Sequence, residues 1–186
     1  MITFIIPTIN RPSLKNSLES LINQTKSNWK AIVLFDNVPD FKEVVRDKRI
    51  TYINVEKKGS LDENNHGMAG LLRNVGLDLA KDARIIGFLD DDDILEPKYI
   101  ENINPNYDIN VFRMRWYNNI ILPQGNDIRC GNVGISFCFK NNQSARFKNN
   151  SSFEDYEFLK ALIDELKYSY LVNDYIGYTV RGKHVR

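Results

Sequence analysis

Four consecutive carboxylates, Asp90-Asp91-Asp92-Asp93, follow directly on the apolar run Ile85-Ile86-Gly87-Phe88-Leu89. The apolar run reads as a buried strand, so the chain must set four negative charges at one strand end. At an effective dielectric near 20, two unit charges ~4 Å apart interact by about 4 kcal/mol. No fold gains stability from such crowding. The working state is expected to bring positive charge to this corner, a divalent cation being the simplest source. The plain alternative is a solvated acidic turn capping a helix near Pro97. Residues two apart face the same side of an extended segment, which pairs Asp90 with Asp92 or Asp91 with Asp93.

The segments upstream indicate the kind of sheet this strand joins. Thr3-Phe4-Ile5-Ile6-Pro7, Ala31-Ile32-Val33-Leu34-Phe35 and Ile50 to Val55 are further apolar runs. The second is continuous rather than alternating, as suits a parallel strand covered on both faces. Pro12-Ser13 opens a helix whose Leu14, Leu18, Leu21 and Ile22 share one face. A short helix is expected between the second and third strands. Glu56 to Gly67 reads as a polar loop, with His66 at the surface. Met68, Leu71, Leu72, Val75 and Leu79 make a second helical face. Alternation of this kind predicts a right-handed, mainly parallel α/β sheet. Ligands of such sheets bind beyond the carboxyl ends of the strands. Three of those ends are polar here, at Thr8-Ile9-Asn10-Arg11, Asp36-Asn37 and Asp90 to Asp93, and the fold places all three on one edge.

The second half differs. Ile109 to Trp116, Asn118 to Leu122 and Val133 to Lys140 read as strands without intervening helices. A helix carrying Leu159, Leu162, Ile163 and Leu166 follows, then a last strand over Tyr168 to Val172. The expectation is therefore one α/β domain over 1–186 with a smaller antiparallel part. No repeat, low-complexity tract or linker interrupts it. The net charge of +1 gives no electrostatic case for nucleic acid. No stretch is apolar enough to span a membrane, and the start lacks the basic region of a signal peptide. Cys130 and Cys138 are expected as buried or half-buried strand thiols in a reducing compartment, the cytosol or the cytosolic face of a membrane.

The segment Phe4-Ile5-Ile6-Pro7-Thr8-Ile9-Asn10-Arg11-Pro12 resembles the start of family 2 glycosyltransferases of the GT-A fold. In order along the chain, Asp36-Asn37, Arg73-Asn74 with Gly76 and Leu79-Ala80, Phe88-Leu89-Asp90-Asp91-Asp92-Asp93, and Glu154-Asp155 resemble the motifs of that family. Each motif is weak alone; their order and spacing make the resemblance specific. Leu72 departs from the usual small residue, and Gly67 lies one residue further from Arg73 than usual. The Gln-x-x-Arg-Trp motif of processive members is absent, which favours transfer of single sugars. The chain is short for the family, so one module of a longer protein is expected.

The resemblance implies a metal-dependent, inverting transfer from a UDP-sugar to a carbohydrate or glycoconjugate hydroxyl. About 1–97 would form the nucleotide-binding half and about 98–186 the acceptor half. Pro7, Thr8, Asn10 and Arg11 would line the nucleoside pocket. Asp36 would accept the N3–H of uracil, a bond that cytosine's unprotonated N3 does not offer. Arg73 would reach the nucleotide or support the carboxylates. Asp92 would ligate Mn²⁺ or Mg²⁺, with Asp90 or Asp91 meeting the ribose or a metal-bound water. His184 would complete the metal shell, and Asp155 would act as general base. Trp116, Tyr117 and Gly131-Asn132-x-Gly134 fall where acceptor and donor sugars are bound. Glu154 also fits a capping box with Ser151 at its own helix start. A nucleotidyltransferase and a non-catalytic nucleotide-sugar-binding module are the competing readings. The first would want a glycine-rich phosphate loop after the first strand, and Thr8-Ile9-Asn10-Arg11 has none.

Overall fold

Every residue of the first strand, β1 (Ile2–Thr8), is buried, so it needs cover on both faces and neighbours on both edges. The computed structural model, which describes residues 1–58, 60–61, 67–116, 118–142, 144–148 and 153–181, supplies them. In chain order follow α1 (Leu14–Ile22), β2 (Trp29–Asp36), β3 (Ile50–Val55), β4 (Ser60–Leu61), β5 (Gly67–Met68) and α2 (Gly70–Leu79). Then come β6 (Ile85–Phe88), β7 (Ile94–Leu95), a 3₁₀ turn at Ile100–Asn102, β8 (Ile109–Arg115), β9 (Ile121–Leu122), β10 (Phe137–Lys140), α3 (Glu154–Asp164) and β11 (Tyr170–Thr179).

Among the described residues one sheet runs in the order β3-β2-β1-β6-β10-β8-β11-β7, with β9 on β8, and β4 and β5 form a separate ribbon. The strands β3, β2, β1 and β6 are mutually parallel. β10 is antiparallel to both β6 and β8, and β11 runs parallel to β8. Six strands therefore share one direction. The carboxyl ends of β1, β2, β6, β8 and β11 lie on a single edge. This is the mainly parallel α/β sheet with an antiparallel insertion that the sequence predicts. Among the described residues no helix is long and apolar enough to cross a membrane.

Several elements differ from the sequence expectation. No helix joins β2 to β3. Residues 37–49 instead run through turns, held where the Tyr52 hydroxyl donates to the Val45 carbonyl (2.8 Å) and accepts its N–H (3.1 Å). Met68 belongs to β5, and α2 starts at Gly70. The buried face of α2 carries Gly70, Leu72, Arg73, Gly76 and Leu77, while Leu79 is exposed. The cause is Gly76: a Cβ there would lie 2.4 Å from Ile5 Cγ2. The bare helix backbone thus rests on β1, and the helix turns Arg73 inward. β11 continues seven residues beyond its expected end at Val172. The polar Asn173-Asp174 just past the expected end sits at a bulge, with register shifts between Asn173 and Ile176 and again before Tyr178. β10 starts only at Phe137, and β9 shrinks to two residues. Cys138 is buried on β10, whereas Cys130 is exposed in a turn, not on a strand.

An aromatic cluster fixes α3 against the sheet. Phe147 and Phe158 stack with centroids 4.1 Å apart at 10°, and both meet Phe88 edge-on. Phe137 and Phe139 of β10 complete the group. The Asn74 side chain pins Phe147 from the other side, donating to its carbonyl and accepting its N–H, both at 2.9 Å. These contacts carry the first turn of α3 to the carboxyl edge.

Candidate active site

β6 ends at Phe88, and the Leu89 N–H still donates to the Ile5 carbonyl (3.3 Å). The four aspartates then form a turn closed by the Asp93 N–H on the Asp90 carbonyl (3.2 Å). The segment is thus neither extended nor a helix cap; it leads into β7. Burial still alternates: Asp91 and Asp93 are 2% and 5% exposed, while Asp90 and Asp92 are half-buried. The open side of the turn therefore presents Asp90 and Asp92.

The end of β1 meets this turn. The Thr8 hydroxyl donates to Asp91 Oδ2 at 2.6 Å and accepts the Asn10 N–H at 2.9 Å. Asn10 takes φ = 68°, a left-handed conformation that asparagine tolerates better than most residues. The chain turns there, and Arg11 Nη1 lies 2.5 Å from Asp91 Oδ1 and 3.7 Å from Asp92 Oδ2. Pro7 is buried within β1, one residue short of the cleft. Asp36, at the end of neighbouring β2, accepts the Lys58 N–H at 2.6 Å. It thereby ties the segment after β3 to the strand end beside Asn37, which has φ = 54°.

The opposite wall is built around Arg73, only 3% exposed. Its Nη2 donates to Asp90 Oδ1 at 2.6 Å, and its Nη1 to Glu154 Oε1 at 2.8 Å and Asp155 Oδ1 at 3.2 Å. The Phe147 ring lies 5.4 Å from the guanidinium carbon. Arg73 is thus no surface residue; it joins the acidic turn to the start of α3. Ser151 lies outside the described residues. Glu154 caps a different helix from the one expected, since its Oε1 and Oε2 accept the N–H groups of Ala69 (3.1 Å) and Gly70 (3.0 Å) at the start of α2. Tyr178 of β11 was not legible as a site residue. Its hydroxyl accepts the Asp90 N–H at 3.1 Å and also bonds the Asp93 side chain. Nothing in its tyrosine-rich surroundings marks it in the sequence.

Six carboxylates, Asp90 to Asp93, Glu154 and Asp155, share this corner with two guanidiniums, Arg11 and Arg73. The positive charge expected beside the aspartates is therefore partly internal, and an excess of negative charge remains. Burial pushes the Asp155 carboxyl up to about 7; Arg73 opposes this, while Asp90 and Glu154 reinforce it. Burial also raises Asp93 to about 8, with the charges of Asp90 and Asp92 adding to it. Asp91 is raised by burial against the lowering pull of Thr8 and Arg11.

Among the described residues no three histidine, cysteine or acidic side chains converge as a preformed ion cage. The donor set nonetheless suits a hard cation. Mg²⁺ is commonly held by one or two carboxylates, with waters and phosphates completing its shell, and Asp92 and Asp90 face the open side. His184, His66 and Tyr117 lie outside the described residues. Trp116 is half-buried against the core, and the Gly131–Gly134 stretch contributes Val133 to that core.

The model of glycosyl transferase family 2 matches residues 3–114. The chain is 34% identical over 110 residues to the uncharacterized glycosyltransferase MJ1057 of Methanocaldococcus jannaschii, which spans 54% of this chain and 35% of that protein. It is 32% identical over 90 residues to the putative glycosyltransferase EpsH of Bacillus subtilis, covering 48% of this chain and 25% of that one. Among solved structures, TarS 1-349 of S. aureus in complex with UDP-GlcNAc superposes with a TM-score of 0.73 at 17% identity, over 100% of this chain and 59% of that one. The mannosyltransferase PcManGT of Pyrobaculum calidifontis, in complex with GDP-Man and Mn2+, gives 0.68 at 15%, over 99% and 58%. The chain thus spans about a third of the archaeal relative and under two thirds of either solved chain. The structural likenesses establish the fold. The matched span contains the strands and the acidic turn that build one wall of the cleft, and on that ground the chain belongs to glycosyl transferase family 2, with the GT-A fold.

Proposed function

We propose that the protein moves a single sugar from a UDP-sugar to the hydroxyl of a carbohydrate or glycoconjugate acceptor, with inversion and with Mn²⁺ or Mg²⁺. The observation that carries this reading is the Arg73 bridge. One buried guanidinium holds Asp90 of the acidic turn on one side and Asp155 on the other, so two chemically distinct carboxylates face one cleft. Asp155, raised to about 7, has the proton affinity of a general base working near neutral pH.

In this reading the residues up to about 97 bind the donor and those beyond bind the acceptor. Thr8, Asn10, Arg11 and Asp36 face the nucleoside, and Asp36 offers its acceptor to a uracil N3–H. Mn²⁺ or Mg²⁺, when bound, supplies positive charge to the departing diphosphate. Asp92 would hold it, with His184 as the further ligand implied by the family. The acceptor hydroxyl loses its proton to Asp155 as its oxygen attacks the anomeric carbon and the bond to the diphosphate breaks. A single displacement turns an α-linked donor into a β-linked product.

The test is a thermal-shift panel of UDP, GDP and dTDP with and without Mn²⁺, followed by assay of nucleotide release from the matching sugars. A ligand at 100 times its dissociation constant raises stability by about 2.7 kcal/mol. UDP with Mn²⁺ is expected to give the largest shift in the protein and a reduced one in Asp92→Ala. Full transfer and an unchanged Mn²⁺ response in Asp92→Ala would overturn the metal assignment.

A further inference from the structure

We infer that Glu154 is a positioning residue, whose carboxylate clamps the start of α2 to the start of α3 and so limits how closely Arg73 approaches Asp155. The inference rests on the proposed role of Asp155 only for its consequence in catalysis; the clamp stands on geometry. Both Glu154 oxygens are committed to main chain, Oε1 to Ala69 N–H at 3.1 Å and Oε2 to Gly70 N–H at 3.0 Å. Backbone N–H groups at a helix start have no intrahelical acceptor, and α2 has no side-chain cap of its own. A residue 84 positions downstream supplies it.

The fit leaves no room for another side chain. A Cβ on Gly70 would stand 2.5 Å from Glu154 Oε2 and 2.8 Å from Phe147 Cβ. Glu154 Oε1 also accepts Arg73 Nη1 at 2.8 Å, the same nitrogen that reaches Asp155 at 3.2 Å. Arg73 is therefore shared between neighbours on α3, and Glu154 is the nearer. An uncharged amide cannot reproduce this. Glutamine offers one acceptor oxygen, and its NH₂ group would face a backbone N–H with a donor. Arg73 would then be drawn toward Asp155, and Asp155 would lose a like charge beside it. Both changes act in the same direction on its proton affinity.

The experiment uses isotopically labelled protein without donor or metal. In the unmodified protein, the Ala69 and Gly70 amides are expected to be protected from hydrogen exchange, and the side-chain carbon of Asp155 to titrate near neutral pH. In E154Q the Asp155 midpoint moves to lower pH, and at least one of the two amides loses protection. G70A, which crowds the same carboxylate from the other side, is expected to shift the Asp155 midpoint as well. Rapid exchange of both amides in the unmodified protein overturns the clamp. So does an Asp155 midpoint in E154Q equal to that of the parent. Retention of sugar transfer by Asp155→Asn, by contrast, would overturn the proposed base and leave the clamp intact.

Discussion

At the scale of single residues the site is a set of shared hydrogen bonds, and each has a measurable consequence. Asp155 is the clearest. Its carboxyl is raised to about 7 in the fold, against about 3.9 in an unfolded chain. The folded state thus holds this proton more tightly, so the group's contribution to stability declines as pH rises from about 4 through 7. Asp155→Asn is expected to narrow the difference in melting temperature between pH 5 and pH 8, and to lower transfer by roughly 10²–10⁴-fold, the usual range for a general base. Transfer by the parent should rise with pH through the same interval. Thr8→Val removes a buried hydroxyl that donates to Asp91 at 2.6 Å. A buried acceptor stripped of its donor costs about 1–3 kcal/mol, which urea unfolding at pH 7 would register. Motif order named Asp92, Asp155, Arg73 and Thr8, and the fold brings all four to one corner. Tyr178 and the true partner of Glu154 were not legible, because each acts across more than 80 positions of sequence, and only tertiary packing creates such pairs.

At the scale of elements, α2 and α3 carry the site, and their seating depends on small or flat contacts. Gly76→Ala would push a methyl to 2.4 Å from Ile5 Cγ2. Overpacking of this kind typically costs 1–3 kcal/mol, so a lower urea midpoint is expected. Phe158→Ala would remove the ring that stacks on Phe147 and touches Phe88, Phe137 and Phe139. About 3–5 kcal/mol is expected for a buried phenylalanine, seen as a drop in unfolding free energy. The strands of the first half were readable because continuous apolar runs need no partner information. The rotation of α2 was not, since a leucine count cannot show that Gly76 lies against a strand. The length of β11 was hidden by the polar residues at its bulge.

At the scale of the molecule, six strands of one sheet point their carboxyl ends at the same edge, and the antiparallel β10 lets the second half add its strands without reversing that edge. The parallel order of β1, β2 and β6 follows from strand and helix alternation, whereas β3 pairs in parallel with β2 with no helix between them. The order β6-β10-β8-β11 does not follow from that alternation, because it depends on which long-range pairs form rather than on local pattern. One outcome concerns anyone who would rebuild this protein. Arg73 is bonded at once to Asp90, to Glu154 and to Asp155. A chimaera that takes its front half from one parent and its rear half from another would inherit a mismatched guanidinium at the seam. The two halves are electrically one unit, and swapping either alone retunes the other.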